Sequence, residues 1–187
     1  MIPHEIKVRR DKDFKYGWNV EAKFTRLMMR LGYDKPIVAT KDQDVHEHWD
    51  RKFIGKNGNE VLIDIKAIKF NDENYNLIEY LNNCANDGWI FGKAHYIAFE
   101  TNNSFLIIDR LKLKEYALKL IGCDSNTPMD EVRKILNDPN GMITERSKEI
   151  EEDLYRRYRR AEWGNKDISI FIRTKDLYEL NPYILYK

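Results

Sequence analysis

The feature that most constrains this chain is residues 45–69, VHEHWDRKFIGKNGNEVLIDIKAIK, which predict two strands joined by a turn. Trp49 and Phe53 supply strand-forming side chains on the first strand, and residues 61–63 supply them on the second. Residues 55–58, Gly-Lys-Asn-Gly, are typical of a chain reversal. We therefore expect a β-hairpin, with the rest of the domain arranged around it.

The second strand of this hairpin is unusual because neither of its faces is simply polar. Side chains alternate between the two faces of a strand. One face holds only apolar residues, Val61, Ile63, Ile65 and Ala67, and the other holds Leu62, Asp64, Lys66 and Ile68. Apolar residues at both ends of the second face favour a strand that is covered on both sides. Buried charges need a partner or a metal ion, so we expect Asp64 and Lys66 to interact, with Asp50 of the first strand as a third member.

Composition limits the fold class and the partners. A chain of 187 residues with 42% hydrophobic residues fits one globular domain, and we assign residues 1–187 to it. The formal net charge is +1, so any surface that binds nucleic acid must be local. The two cysteines, Cys84 and Cys123, lack metal-binding spacing and predict reduced thiols in a cytoplasmic protein. We expect neither a signal peptide nor a membrane span.

Periodicity and turn residues predict the order of the other elements. We expect an amphipathic helix over residues 19–31, capped by Asn19 and ended by Gly32, followed by a connector. The pattern predicts a core over about residues 19–120 and a mostly helical extension with a closing strand over 121–187. Further predicted helices lie in 71–86, 111–121, 129–136 and 143–163, predicted strands at 94–101, 105–109 and 168–172, and a closing turn at 175–180.

This order of elements, together with Asp50 and the Asp64-Ile65-Lys66 triplet, resembles the PD-(D/E)XK nuclease superfamily in its small phage- and resolvase-like branch. Glu21 matches the acidic residue that such proteins often carry on the first core helix. The resemblance covers roughly residues 19–120, and Trp49 stands where the nominal proline would be. It implies an α/β fold with a restriction-endonuclease-like mixed sheet flanked by helices.

The resemblance also implies a chemistry and a set of roles. It implies a Mg²⁺-dependent nuclease, with Mn²⁺ as a substitute, that hydrolyses phosphodiester bonds of double-stranded or branched DNA. Asp50, Asp64 and the carbonyl of Ile65 would be metal ligands, Lys66 would assist the attacking water, and Glu21 would bind a second metal or a water molecule. These assignments agree with the preference of Mg²⁺ for oxygen ligands. The resemblance further implies a homodimer, bacterial or encoded by a phage within its host.

The register of the hairpin decides whether these side chains can meet. A strict two-residue Asn57-Gly58 turn would pair Asp50 with Ile65 and direct the two aspartates to opposite faces. A three- or five-residue loop, or a bulge, would bring Asp50 and Asp64 to one side. We predict that Asp50, Asp64 and Lys66 converge.

An arginine cluster is the best candidate for a nucleic-acid surface. Guanidinium groups suit bidentate phosphate contacts, and tyrosines are interleaved with them. Acidic residues one or two turns earlier allow a second interpretation, a solvated helix with internal ion pairs. The predicted contacts are Arg156, Arg157, Arg159 and Arg160, with Lys69 as a weaker one.

Other functions compete with the nuclease hypothesis. The string His46-Glu47-His48-Trp49-Asp50 resembles the start of the zinc site of metallo-β-lactamase-like hydrolases, although Arg51 stands where those enzymes have a histidine. The chain could also be a catalytically silent member of the nuclease fold that binds nucleic acid or acts in assembly. Asp64 and Lys66 alone would fit an ordinary ion pair, and Glu21 alone would fit the positive end of a helix dipole.

Overall fold

The structure is a computed structural model that describes residues 4–68, 73–82, 86–138, 158–160 and 167–187, with backbone alone at 4–13, 158–160 and 167. It has mixed α/β architecture. The helices are α1 (His4–Arg30), α2 (Lys41–Glu47), α3 (Arg110–Leu120), α4 (Met129–Asn137) and α5 (Thr174–Leu177), with 3-10 turns at Trp89–Phe91 and Tyr178–Leu180. The strands are β1 (Ile37–Val38), β2 (Arg51–Ile54), β3 (Glu60–Lys66), β4 (Tyr75–Asn82), β5 (Asn86–Asp87), β6 (Tyr96–Glu100), β7 (Ser104–Asp109), β8 (Tyr158–Arg160), β9 (Asp167–Arg173) and β10 (Tyr183–Tyr186).

The strands form two sheets. The first is a mixed six-stranded sheet in the order β1-β2-β3-β6-β7-β10, in which β3 and β6 are parallel and the other neighbours are antiparallel. The second is an antiparallel sheet in the order β5-β4-β9-β8. None of the described helices combines the length and apolar composition that crossing a bilayer requires.

Helix α1 covers one face of the first sheet, and its length differs from the prediction. Val20 and Phe24 are buried against Phe53 and Phe105, whose rings contact Phe24 edge to face. The helix begins at His4 and not at residue 19, so Asn19 lies inside it and does not cap it. Gly32, with φ of 90°, follows its C-terminus as predicted.

Strand β3 is covered on both faces, which confirms the prediction. Ile63 and Ile65 contribute to the core under α1, whereas the side chain of Asp64 on the opposite face is also buried. That second face packs toward the larger core, which includes Trp49, Trp89 and Ile97. The site residues therefore lie between the two layers of the protein.

Residues 75–82 form a strand and not the predicted loop and short helix. β4 pairs with β9 along its whole length, from Tyr75 opposite Arg173 to Leu81 opposite Ile168. Asn76, Ile78 and Tyr80 are buried together, which is the two-residue repeat of a strand. The strand is stabilised by a partner more than 80 residues away in sequence, and local periodicity does not report such a partner.

The structure differs from the prediction in three further segments, whose sequences show little apolar periodicity. Residues 41–47, predicted as part of a connector and of the first strand, form α2, which starts with a capping box between Thr40 and Gln43. Tyr158–Arg160 form strand β8, so the predicted helix over residues 143–163 is wrong there and its remainder lies outside the described residues. The predicted C-terminal extension is consequently mixed in structure: β9 confirms the strand at 168–172, and β10 closes the first sheet.

Candidate active site

The hairpin has the register that brings Asp50 and Asp64 together. Arg51 pairs with Ile63 and Ile54 with Glu60, so the strands are joined by a five-residue loop over residues 55–59. The ladder ends at the Arg51–Ile63 pair, and Asp50 just before it is bonded to β3 on both sides of Asp64, at the Ile63 carbonyl and the Ile65 N–H. The loop closes through a hydrogen bond from the Gly55 N–H to the Asn59 carbonyl and a positive φ of 80° at Gly58. The predicted convergence on one side of the sheet is therefore confirmed.

Asp50 is held by backbone groups of β3. Its N–H donates to the Ile63 carbonyl at 2.9 Å, and its carboxylate accepts from the Ile65 N–H at 2.6 Å. Burial and the Asp64 charge raise the pKa of Asp50 to about 7, although the Lys66 charge and the Ile65 hydrogen bond oppose this. A hydrogen bond between the two carboxyl groups also raises the pKa of Asp50 and lowers that of Asp64. Near neutral pH the pair can therefore share one proton.

Lys66 is the nearest cation to this pair. Its Nζ lies 2.8 Å from Oδ2 of Asp64, whose side chain is only 4% exposed, and 4.8 Å from the centre of the Trp89 ring. Burial lowers the pKa of Lys66, but the charges of Asp64 and Asp50 outweigh this effect and raise it, so Lys66 is an ammonium. Burial raises the pKa of Asp64, and Lys66 opposes the shift.

The Oδ2 atom of Asp64 is the least satisfied polar atom of the site. It is buried and, despite the short ion-pair distance to Lys66, has no donor in hydrogen-bonding alignment among the described residues. A buried carboxylate oxygen without an aligned donor is costly unless a cation or water completes its shell. A metal ion bound by this atom would share it with the Lys66 ammonium.

Glu21 reaches the edge of the site from α1. Its carboxylate pairs with Arg51 at 2.9 Å, and both side chains are largely buried. Burial and the charge of Asp50 raise the pKa of Glu21 to about 7, against the opposing effect of Arg51. Glu21 is therefore electrostatically coupled to Asp50, as expected for one site, although its direct partner is an arginine.

Sequence reasoning missed two contributors. Asp44, in the first turn of α2, raises the pKa values of Glu21 and Asp64 through its charge. Trp89 places its ring beside Lys66. The Thr40-x-x-Gln43 capping box could have located Asp44 on a helix, whereas no local signal in the sequence links Trp89 to Lys66.

The carboxylates of Asp50 and Asp64 suit a hard divalent cation that takes few of its ligands from the protein. Asp50 and Asp64 offer carboxylate oxygens, and Mg²⁺ requires only one or two carboxylates because it keeps several water ligands. Within the described ranges, no three His, Cys, Asp or Glu side chains form a preassembled metal-binding cluster. These residues therefore do not form a site in which the protein supplies every metal ligand. The Ile65 carbonyl remains a predicted additional ligand.

The histidines do not assemble the alternative zinc site. Nε2 of His46 faces Asp42 at 3.6 Å on the exposed surface of α2, whereas Nε2 of His48 lies 3.1 Å from the carbonyl of Asp87. Burial and the charge of Lys66 lower the pKa of His48, which is consequently neutral and close to the nuclease-like set. The geometry gives no support to the zinc-hydrolase hypothesis.

The predicted nucleic-acid contacts fall largely outside the described residues. Lys69, Arg156 and Arg157 lie in the undescribed segments. Arg159 and Arg160 belong to β8, at one end of the second sheet, where the backbone alone is described. Their role in binding stays a prediction.

The site lies at the edge where the parallel strands β3 and β6 end. β3 ends at Lys66, and β6 ends at Glu100, whose side chain is 2% exposed. Glu100 accepts hydrogen bonds from the Tyr16 hydroxyl at 2.8 Å and from Lys187 at 2.9 Å. Lys23 adds a third at 3.2 Å, so this network fastens α1 to the sheet beside the site. Ligand sites commonly lie at the carboxyl ends of parallel strands.

Comparisons of this chain with protein-family models, with curated proteins and with solved structures found no match. The case for a function therefore depends on the residues and geometry described above.

Proposed function

We propose that this chain is a divalent-metal-dependent nuclease that hydrolyses phosphodiester bonds of DNA. The observation that carries the proposal is the pairing of the hairpin, which sets Asp50 beside Asp64, with Lys66 2.8 Å from the latter. An accidental ion pair on a solvated strand would require neither a second carboxylate beside the buried one nor a buried oxygen that lacks an aligned donor.

In this mechanism Asp50 and Asp64 would hold Mg²⁺, with Mn²⁺ as a substitute. The bound ion would polarise the scissile phosphate and lower the pKa of a coordinated water. Lys66 would donate hydrogen bonds to a non-bridging phosphate oxygen and stabilise the negative charge that develops there. Glu21, with its raised pKa of about 7, would accept the proton of the attacking water, directly or through another water molecule.

The restriction-endonuclease-like fold is part of this proposal. A mixed sheet with a helix on one face and an acidic pair beside a lysine on adjacent strands supports it. The second, antiparallel sheet would be an addition to that core: β4 and β5 lie between β3 and β6 in the chain, and β8 and β9 follow α4. A homodimer acting on double-stranded or branched DNA remains the expectation from the family resemblance.

The decisive experiment incubates the purified protein with supercoiled plasmid, linear duplex and four-way-junction DNA, in Mg²⁺ and in chelator. We expect cleavage only with the metal, and a loss of about 100-fold or more in Asp64→Asn and Lys66→Met. Matched controls are Asp130→Asn on α4 and Lys112→Met on α3, both at exposed positions outside the site. Circular dichroism should show that all four variants are folded.

Two outcomes would count against the nuclease. Equal cleavage by wild type and both site variants would mean that the activity lies elsewhere. DNA binding without cleavage in either Mg²⁺ or Mn²⁺ would instead favour the catalytically silent member of the fold.

A further inference from the structure

Helix α1 extends beyond the edge of the sheet at which the candidate site lies. The Tyr16 hydroxyl is bonded to Glu100, the last residue of β6, and Glu21 is paired with Arg51, the first residue of β2. Both strand ends neighbour the end of β3, so residues 16–21 cross this edge. Toward its C-terminus α1 approaches the hairpin, where Tyr33 contacts Phe53. The preceding residues of α1, at about 1.5 Å each, therefore project roughly 18 Å past the site.

The part of α1 next to this edge displays aromatic side chains to solvent. Trp18 is 66% exposed and Phe14 is 54% exposed. Residues three or four apart are neighbours on a helix surface, so Phe14, Trp18 and Glu21 form one stripe that leads to the site. The space around Gly17 is open, since a Cβ there would meet no atom within 4 Å. An indole in this position is accessible to a ligand that enters the site.

Charge indicates which ligand this stripe suits. The site itself holds four acidic residues, Asp44, Asp50, Asp64 and Glu21, against the two cations Lys66 and Arg51. Residues 4–18 carry five Lys or Arg against three Asp or Glu, and Lys15 is exposed beside the aromatic stripe. Exposed aromatic rings among cations are the composition of a surface that binds single-stranded nucleic acid, because every base has a face on which a ring can stack.

We propose that the surface of α1 formed by Phe14, Lys15 and Trp18 binds unpaired nucleotides of the substrate, with Trp18 stacking on a base and Lys15 contacting a phosphate. The substrate class is then nucleic acid with unpaired bases beside the scissile bond, such as a flap, a bulge or a junction. The link between this binding and cleavage rests on the proposed nuclease function. Binding itself does not depend on it.

The test measures binding of the full chain in chelator, so that no cleavage occurs. The probes are a labelled single strand of about 20 nucleotides, the corresponding duplex, and that duplex with an unpaired flap. We expect Trp18→Ala to weaken binding of the single strand and the flap about ten-fold, with much less effect on the duplex. Trp18→Phe should retain most of the affinity, because phenylalanine keeps a stacking face.

The matched control is Leu111→Ala. Leu111 is 63% exposed, but it lies in the first turn of α3, after β7 at the opposite edge of the sheet. It should bind all three probes like wild type. Lys15→Ala should weaken all three to a similar extent and reduce the dependence of log affinity on log salt by about one.

Two results would overturn the inference: unchanged binding in Trp18→Ala, or a loss that is equal for duplex and flap. The nuclease proposal fails separately, if the wild-type protein does not cleave in Mg²⁺. Normal binding by Trp18→Ala together with cleavage that requires Asp64 would refute only the stacking surface. A selective binding loss without cleavage by wild type would refute only the nuclease.

Discussion

The carboxylate of Asp50 accepts a hydrogen bond of 2.6 Å from the backbone N–H of Ile65, the residue that follows Asp64 on the neighbouring strand. This bond replaces a rung of the backbone ladder with a side chain, at the point where β2 begins and β3 nears its end. The position of the Asp50 carboxylate is therefore fixed by the backbone of β3. Its proximity to Asp64 costs free energy whenever both carboxyl groups are ionised.

Asp50→Asn should stabilise the metal-free protein at pH 8. The asparagine oxygen can still accept from Ile65, while the repulsion between two carboxylates in a partly buried site is removed. We expect the free energy of unfolding in chelator to rise by about 1 kcal/mol and cleavage to be lost. Urea unfolding and a plasmid assay measure the two effects. The control Asp130→Asn, at an exposed site, should change neither, and a less stable Asp50→Asn would contradict the account.

The metal-free protein should lose stability as the pH rises from about 4 to about 7. The pKa values of Glu21 and Asp50 are raised to about 7 from ordinary values of 4.5 and 3.8. In this window the folded state holds protons that the unfolded state has released, so raising the pH favours unfolding. Urea unfolding in chelator across this range should show the decline. A Glu21→Gln, Asp50→Asn double variant should give a flatter curve.

Mg²⁺ should reverse this dependence. Metal ligands must be deprotonated, so the ion competes with the protons of the carboxyl pair. We expect Mg²⁺ to raise the Tm more at pH 8 than at pH 5.5, and Asp64→Asn to abolish this difference. An equal rise in Tm at both pH values would mean that the ion binds elsewhere.

Two glycine substitutions should change stability in opposite directions. Gly58 has φ of 80° in the hairpin loop, whereas Gly17 lies within α1, and a Cβ would meet no atom within 4 Å at either position. Gly58→Ala should therefore lose about 1 kcal/mol through backbone strain alone. Gly17→Ala should gain roughly 0.5–1 kcal/mol through helix propensity. Thermal unfolding measures both, and neither change should alter cleavage of duplex DNA.

The hairpin and its charges could be predicted from sequence because their determinants are local. The alternation of apolar and charged side chains around Asp64 and Lys66 predicted that both faces of β3 are covered. Because Asp50 must face Asp64, a three- or five-residue loop or a bulge was favoured over a strict two-residue turn. Strand β4 could not be recognised in this way. Its residues 75–82 include apolar side chains at spacings that suit a helix as well as a strand, and only pairing with β9 decides between them.

Helix α1 illustrates a different limit. Its buried apolar residues begin at Val20, so the apolar periodicity stops there, whereas the helix extends back to His4 through a charged sequence. Glu21 was consequently predicted in a first helical turn, where a helix dipole would explain it. In the structure it lies more than four turns inside α1, and the dipole explanation no longer applies.

Trp89 should influence the rate of cleavage through Lys66. The ammonium lies 4.8 Å from the ring centre, within the range of a cation–π interaction, and the 3-10 turn that carries Trp89 is closely packed. A Cβ on the adjacent Gly88 would clash with the Glu79 carbonyl, and one on Gly92 would approach the Cβ of His48 to 2.6 Å. This turn therefore has little room to move, and the indole holds the ammonium beside Asp64.

Replacing Trp89 by Phe or by Leu distinguishes the effect of the aromatic ring on Lys66 from its effect on core packing. Both substitutions should cost about 1–3 kcal/mol of stability through lost volume in the core. Single-turnover cleavage should fall about ten-fold in Trp89→Leu and clearly less in Trp89→Phe, because only phenylalanine keeps a face toward the ammonium. Phe99→Leu is the matched control, since Phe99 contacts Trp89 edge to face at 6.1 Å from within the core. It should lower stability with little effect on the rate, and equal rates for Trp89→Leu and Trp89→Phe would show that the ring does not position Lys66.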